Sequence, residues 1–176
     1  MIRLPPRSTL FPSTTLFRSH ADTWLFTFGT ALLSKTRMSD VESVSFPATP
    51  PTTTKGFVKA AIAWDVQGKI VLVTIVSVHL DFSRKSVRDK QIGILVEELK
   101  DVESHLIVMG DLNSRWDQKR SHVQQLSELL DLTVYEPQND LLGTYKKTDG
   151  KRLDWILVSS DLTFSRYEVL PDIVSD

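Results

Sequence analysis

The chain contains no cysteine. A disulfide framework, a thiolate nucleophile and a cysteine-ligated zinc centre are thereby excluded, since each is built on sulfur. A long apolar run is also missing. The longest early stretch, Trp24 to Leu33, has polar interruptions and falls well short of the roughly 20 residues that a membrane-spanning helix needs. Nor is one sign of charge in excess, because 21 Lys and Arg face 22 Asp and Glu for a net charge of −1. The global basic field of a nonspecific nucleic-acid binder is therefore absent. What is present, 176 residues of which 41% are hydrophobic and 24% charged, describes one ordinary soluble domain or a large part of one. The cellular compartment stays open, since secreted proteins can also lack cysteine.

Residues 8–19 form a tandem hexapeptide, Ser-Thr-Leu-Phe-Pro-Ser followed by Thr-Thr-Leu-Phe-Arg-Ser, identical at four of six positions. Two copies cannot build a solenoid, which needs at least about three stacked units of twenty or more residues. Pro5, Pro6 and Pro12 interrupt the place where a signal peptide would carry its apolar helix. Residues 1–20 therefore read as a leader, either translated linker or adapter sequence or a native disordered tail, and are set apart from a domain over 21–176. Residues 39–55, with Pro47, Pro50, Pro51 and a run of three threonines, show no sustained period and read as a long surface loop.

From Gly56 onward the patterning is strong. Phe57 to Val66 and Lys69 to His79 are rich in Val, Ile and Ala and are separated only by Gln67-Gly68, which predicts an antiparallel hairpin. The second run is almost continuously apolar, as expected of a central strand covered on both faces. Ile92, Leu95, Val96 and Leu99 recur at helical steps, and Leu106 to Met109 reads as a short buried strand ended by Gly110. Ser121 with Gln124 forms a capping box for a second helix carrying Val123, Leu126, Leu129 and Leu130. Two final strands are expected over 153–159 and 162–170, giving a mixed sheet with helices outside it.

Three strand ends present polar residues out of apolar runs: His79, Asp111 with Asn113, and Asp154. An ionisable group beside so much apolar surface must be paired, hydrogen-bonded or metal-bound. Taken singly, each has a bland reading. His79 fits a satisfied core histidine, Asp111 a turn or cap after Gly110, and Asp154 a structural partner of Arg152 or Lys151. Taken as an ordered set, they suggest one cluster.

That ordered set resembles the endonuclease/exonuclease/phosphatase superfamily, which contains deoxyribonuclease-I-like nucleases, apurinic endonucleases, inositol-phosphate 5-phosphatases and neutral sphingomyelinases. The matching residues are Gly29 to Lys35, Ser77-Val78-His79-Leu80, Gly110-Asp111-Leu112-Asn113, Arg152 to Leu157, and Ser175-Asp176. The resemblance covers roughly 25–176. It implies an α+β fold, a four-layer α/β/β/α sandwich of two mixed sheets with outer helices, that hydrolyses phosphoesters with Mg²⁺ or Mn²⁺. It also implies roles. His79 donates to a nonbridging phosphate oxygen, Asp111 and Asn113 orient the attacking water and bind phosphate or metal, Asp154 orients a later histidine, and Asp176 is a metal ligand or lies beside one. The chemistry agrees, because a hard cation and fixed donors stabilise the charge that develops on phosphate oxygens, and Mg²⁺ often takes only one or two carboxylates.

Departures from the pattern are equally definite. The family's upstream strand with an Asn and a metal-binding Glu, both preceding the segment matched by Gly29 to Lys35, has no counterpart here, and the sequence stops at Asp176, where the family pattern continues with a histidine after Ser-Asp. The resemblance thus implies an incomplete domain with impaired catalysis.

Eleven of the 21 basic residues fall in the windows 84–90, 115–120 and 146–152, which carry +3, +2 and +3 and leave −9 for the rest of the chain. Each window adjoins a motif residue, so a positive rim that attracts a phosphorylated substrate is expected, with Arg88, Arg115, Trp116 and Lys147 as substrate-binding candidates. Each window alone also fits a solvated loop, and Trp116 alone also fits a core cap. A nuclease or general phosphodiesterase acting as a monomer on a phosphorylated substrate, with nucleic acid among the candidates, is the preferred reading. A noncatalytic phosphate-binding relic of the fold, or a lipid or inositol-phosphate phosphatase, is the alternative.

Overall fold

A computed structural model describes residues 15–18, 29–145 and 150–170. Among these the strands are β1 (Thr15–Arg18), β2 (Ala31–Ser34), β3 (Met38–Ser45), β4 (Gly56–Val66), β5 (Lys69–His79), β6 (His105–Asp111), β7 (Leu132–Val134) and β8 (Asp154–Ser159). The helices are α1 (Lys85–Leu99) and α2 (His122–Leu129). Six strands form one mixed sheet in the order β3-β4-β5-β6-β8-β7, and β1 pairs with β2 in a second, two-stranded sheet. β1 lies inside the stretch that the repeat set apart from the fold.

The hairpin forms as the sequence predicts. Gln67 and Gly68 both take positive φ, 54° and 83°, the geometry that a two-residue turn needs to match strand twist, and Asp65 Oδ1 accepts from Gly68 N at 2.7 Å. Register then follows by counting outward from the turn, and Gly56 opposes His79. α1 crosses over to make β5 and β6 parallel, while the other pairs in the large sheet are antiparallel.

The two faces of this sheet bury different residues. Phe57, Val76, Val78, Val108, Trp155 and Leu157 pack under α1 and α2 with Ile92, Leu95, Leu99, Val123 and Leu126. Such fully buried side chains each contribute on the order of 1.5–3 kcal/mol from removed apolar surface. On the opposite face Val58 and Ala60 pack with Leu32 of the second sheet, alongside Ile75 and Met109. The described layers are thus helices, the six-stranded sheet and the two-stranded sheet. No helix among the described residues is long and apolar enough to cross a membrane.

Three expectations need correction. The loop read over 39–55 is shorter, because β3 occupies Met38–Ser45 and pairs with β4. Its alternation is hidden by a register shift between Ser39 and Glu42, where Asp40 has φ 48°, and by its position at the sheet edge. Residues 162–170 form no strand. β8 already has β6 on one side and β7 on the other, so this segment instead docks through rings, Tyr167 stacking on Tyr135 at 5.1 Å and Phe164 meeting Tyr167 edge-on at 5.8 Å. The capping box is half made: Gln124 N donates to Ser121 Oγ at 3.3 Å, but the Gln124 side chain turns away and donates to the Trp116 carbonyl at 2.9 Å.

Candidate active site

His79 closes β5, Asp111 closes β6 and Asp154 opens β8. The ladders set them side by side, His79 opposite Asp111 and Asp111 opposite Asp154. Register partners share a face, so all three project from the face away from the helices. His79 Nε2 lies 3.6 Å from Asp111 Oδ2. Both side chains remain about one-third open to solvent, 39% and 33%.

Gly110 makes this approach possible. It has φ +139°, and a Cβ built there would meet the Val78 carbonyl oxygen at 1.9 Å, so only glycine lets β6 run this close to β5 before Asp111. The chain turns sharply just past Asp111, where Asn113 takes φ 47° in the left-handed region that asparagine tolerates. Asn113 N donates to Asp111 Oδ1 at 2.8 Å, and Asn113 Nδ2 donates to the Leu80 carbonyl at 3.0 Å. One amide therefore ties the β6 end to the β5 end. Asp154 is placed by Thr144, whose Oγ1 accepts from Asp154 N at 3.1 Å.

The environment drives the titrations apart. Burial, joined by the Lys55 ammonium, pulls the His79 imidazole down to about 4 against the pull of Asp154 and Asp81, so it is neutral near pH 7. Burial raises the Asp111 carboxyl to about 6; repulsion from Asp154 adds to this, while the Asn113 N–H and Lys55 oppose it. A neutral imidazole and a carboxylate that titrates near neutrality now stand side by side, a donor next to a base.

Two residues at this site carry no motif. Lys55 Nζ lies 3.4 Å from His79 Nδ1 and 3.3 Å from Nε2. Asp81 is fully buried just beyond His79, where its Oδ1 accepts from Ser83 N, Ser83 Oγ and Arg84 N, and its Oδ2 accepts from Thr52 Oγ1 at 2.7 Å. Burial alone would raise the Asp81 pKa, but these bonds bring it down to about 2. The hairpin register would have revealed Lys55, since it is the residue just beyond the partner of His79.

The rim candidates fall differently. Arg88 turns inward, its Nη1 donating to the Asp81 carbonyl at 2.8 Å with its Nε buried. Arg115 pairs with Asp117, and Trp116 packs on Trp155 at 6.4 Å between ring centres. Together they line an open cavity of about 590 Å³ with Lys151, Arg152 and Trp155. Lys147 and Asp176 lie outside the described residues.

The chain belongs to the Endonuclease/Exonuclease/phosphatase family, whose sequence profile matches residues 12–176. Solved structures share its fold. An endonuclease/exonuclease/phosphatase family protein from Leptotrichia buccalis C-1013-b has a TM-score of 0.62 at 16% identity, covering 85% of this chain and 61% of that one. A humanized TDP2 from D. rerio scores 0.58 at 20% identity over 88% of this chain and 62% of its own. The human Nocturnin catalytic domain with bound sulfate scores 0.54 at 17% identity over 84% and 60%. The chain thus spans about three-fifths of the length of these structures. No curated protein matches it by sequence.

Proposed function

We propose that this chain carries the catalytic face of a metal-dependent phosphoester hydrolase, a nuclease or general phosphodiesterase. The observation that carries the reading is the register His79–Asp111–Asp154 with Asn113 folded over it, which sets a neutral donor, a near-neutral carboxylate and a second carboxylate on one sheet end. In this reading Asp111 takes the proton of the attacking water, and Asn113, whose Nδ2 keeps one N–H beyond its bond to Leu80, helps hold the phosphate. His79 donates to a nonbridging oxygen without adding charge.

Two neighbouring carboxylates, whose repulsion adds to the burial that raises the Asp111 pKa, suit a divalent cation. Among the described residues no group of three or more His, Asp or Glu could hold a metal, so a Mg²⁺ or Mn²⁺ here would rest on Asp111 Oδ2 and Asp154. Water and substrate oxygens would complete its shell, the usual Mg²⁺ arrangement. Such an ion supplies charge stabilisation on the phosphate; Asp176 is proposed as a further ligand.

The sulfate held by the Nocturnin domain and the name of the Bacteroides thetaiotaomicron mannosyl-6-phosphatase point to phosphate-like ligands in relatives. We place the described layers within a four-layer α/β/β/α sandwich. The test is hydrolysis of DNA, of a simple aryl phosphodiester and of a phosphoinositide, with and without chelator. Metal-dependent cleavage of the first two is expected. Full activity in chelator would remove the metal from the reading, and cleavage of the phosphoinositide alone would overturn the substrate preference.

A further inference from the structure

Lys55 is half-buried, and burial pulls its pKa down against the attraction of Asp111 and Asp81. Its ammonium rests against the imidazole edge of His79, 3.4 and 3.3 Å from the two ring nitrogens. A neutral imidazole offers one acceptor, so at least two of the three ammonium protons point elsewhere. Among the described residues no carboxylate forms an ion pair with it, although nearby Lys59 bridges Glu42 and Glu98 at 3.1 and 3.6 Å. Asp111 and Asp81 act on it only at longer Coulombic range.

The loop that delivers Lys55 is pinned on purpose-built contacts. Gly56 opposes His79, so residue 55 is the first beyond the ladder. Phe46 N donates to the Lys55 carbonyl at 2.8 Å, closing the loop at its base. Thr52 Oγ1 donates to Asp81 Oδ2 at 2.7 Å, and Arg84 Nη2 donates to the Thr49 carbonyl. The loop is thereby fastened to the residue two beyond His79, and the ammonium cannot swing away with a free loop.

We propose that Lys55 is the point charge that grips a nonbridging oxygen of the substrate phosphate beside the His79 donor, and that the Thr52–Asp81 bond is the positioning contact that keeps it there. The ligand class is a phosphate mono- or diester. The inference rests on the reading of this sheet end as a phosphoester site, but phosphate binding itself needs no turnover. A compact, strongly charged donor on a fixed loop suits an oxyanion whose charge is spread over several oxygens. The competing role is an internal counter-ion for Asp111 and Asp154 that a divalent cation displaces.

The test is a titration of the 176-residue chain with inorganic phosphate in chelator near neutral pH, followed through the His79 ring resonances. Saturable binding is expected for the wild type. Lys55→Met should weaken it by about tenfold or more, the scale of one lost charge-assisted hydrogen bond. Lys55→Arg should stay within about threefold, because the charge is kept, and Thr52→Val should fall between them with Lys55 intact. Native-like spectra for Lys55→Met, Lys55→Arg and Thr52→Val show that the fold survives, with a lower melting temperature expected for Thr52→Val, which loses its bond to Asp81. Equal phosphate affinity in Lys55→Met and wild type overturns the proposal, as does a wild type that does not bind phosphate. Tighter Mg²⁺ binding by Lys55→Met with unchanged phosphate affinity overturns it in favour of the counter-ion. Loss of phosphate binding in Lys55→Met, in a protein that hydrolyses nothing, upholds Lys55 while the hydrolase reading fails.

Discussion

His79 and Asp111 are register partners at the ends of two parallel strands, with Nε2 and Oδ2 3.6 Å apart. Their residual separation is large for a strong hydrogen bond. Burial and the Lys55 ammonium keep the imidazole neutral, and burial, with repulsion from Asp154 added, raises the carboxyl. Nothing fits between two atoms this close, but both side chains are partly open to solvent, so a phosphate oxygen or a water can bond to them from the open side.

The Asp111 carboxyl should titrate near 6 in the metal-free protein, and Asp154→Asn should move that midpoint downward by removing a repelling charge. Carboxyl carbon resonances followed across pH 4 to 8 measure both. An ordinary Asp111 midpoint, or no movement in Asp154→Asn, would show that the two carboxylates do not act on each other.

Turnover on a phosphodiester should fall by at least about 100-fold in Asp111→Asn, the scale for losing a positioned base. The pH profile has a definite sign: the ionised form is the base, so activity is expected to rise with pH through the Asp111 titration and to level off above it, with a midpoint that a bound Mg²⁺ moves below the metal-free value of about 6. Steady-state rates with the pH varied at saturating Mg²⁺ provide the check. A profile that falls over that range contradicts the role of Asp111.

Gly110→Ala should destabilise the protein by about 2–4 kcal/mol, because the new methyl meets the Val78 carbonyl and the φ of +139° is strained for any side chain. Urea unfolding gives the difference directly. A change under about 0.5 kcal/mol, typical of a harmless surface site, would mean that β6 can retreat from β5.

Asp81 contributes through linkage. Its folded pKa of about 2 lies below the ordinary 3.8, so its stabilisation is complete above about pH 4 and is lost as pH falls towards 2. The amount at stake is about 2 kcal/mol. Asp81→Asn should remove that acid-side slope and also lower stability at neutral pH, where Thr52, Ser83 and the Arg84 amide lose a charged acceptor. Unfolding measured in urea at pH 5, 3.5 and 2 for both proteins tests the sign and the size.

Much of the fold was legible because period-2 and helical-period patterns are local. Gln67-Gly68 between two apolar runs specified the hairpin and, by counting, the pairing of Gly56 with His79. Ile92, Leu95 and Leu99 marked the buried side of α1, and Ser121 marked the start of α2. Three polar residues at the ends of apolar strands were visible as exceptions to the pattern, and their order in the chain pointed to the family.

Tertiary structure decided the rest, because pairing between distant strands depends on which edges are free. The crossover through α1 placed Asp111 beside His79, and the insertion of β8 between β6 and β7 brought Asp154 to the same row. That insertion also left no free edge of β8 for 162–170, so its aromatic residues packed on Tyr135 instead of pairing. β3 was hidden by its bulge. Arg88, one of a cluster of basic residues in the sequence, found the Asp81 carbonyl and turned inward, whereas Lys55 at the end of an unpatterned loop arrived against the imidazole. Charge and spacing are written in the chain, but the direction in which a long cationic side chain points is settled only by the acceptors that folding brings within its reach.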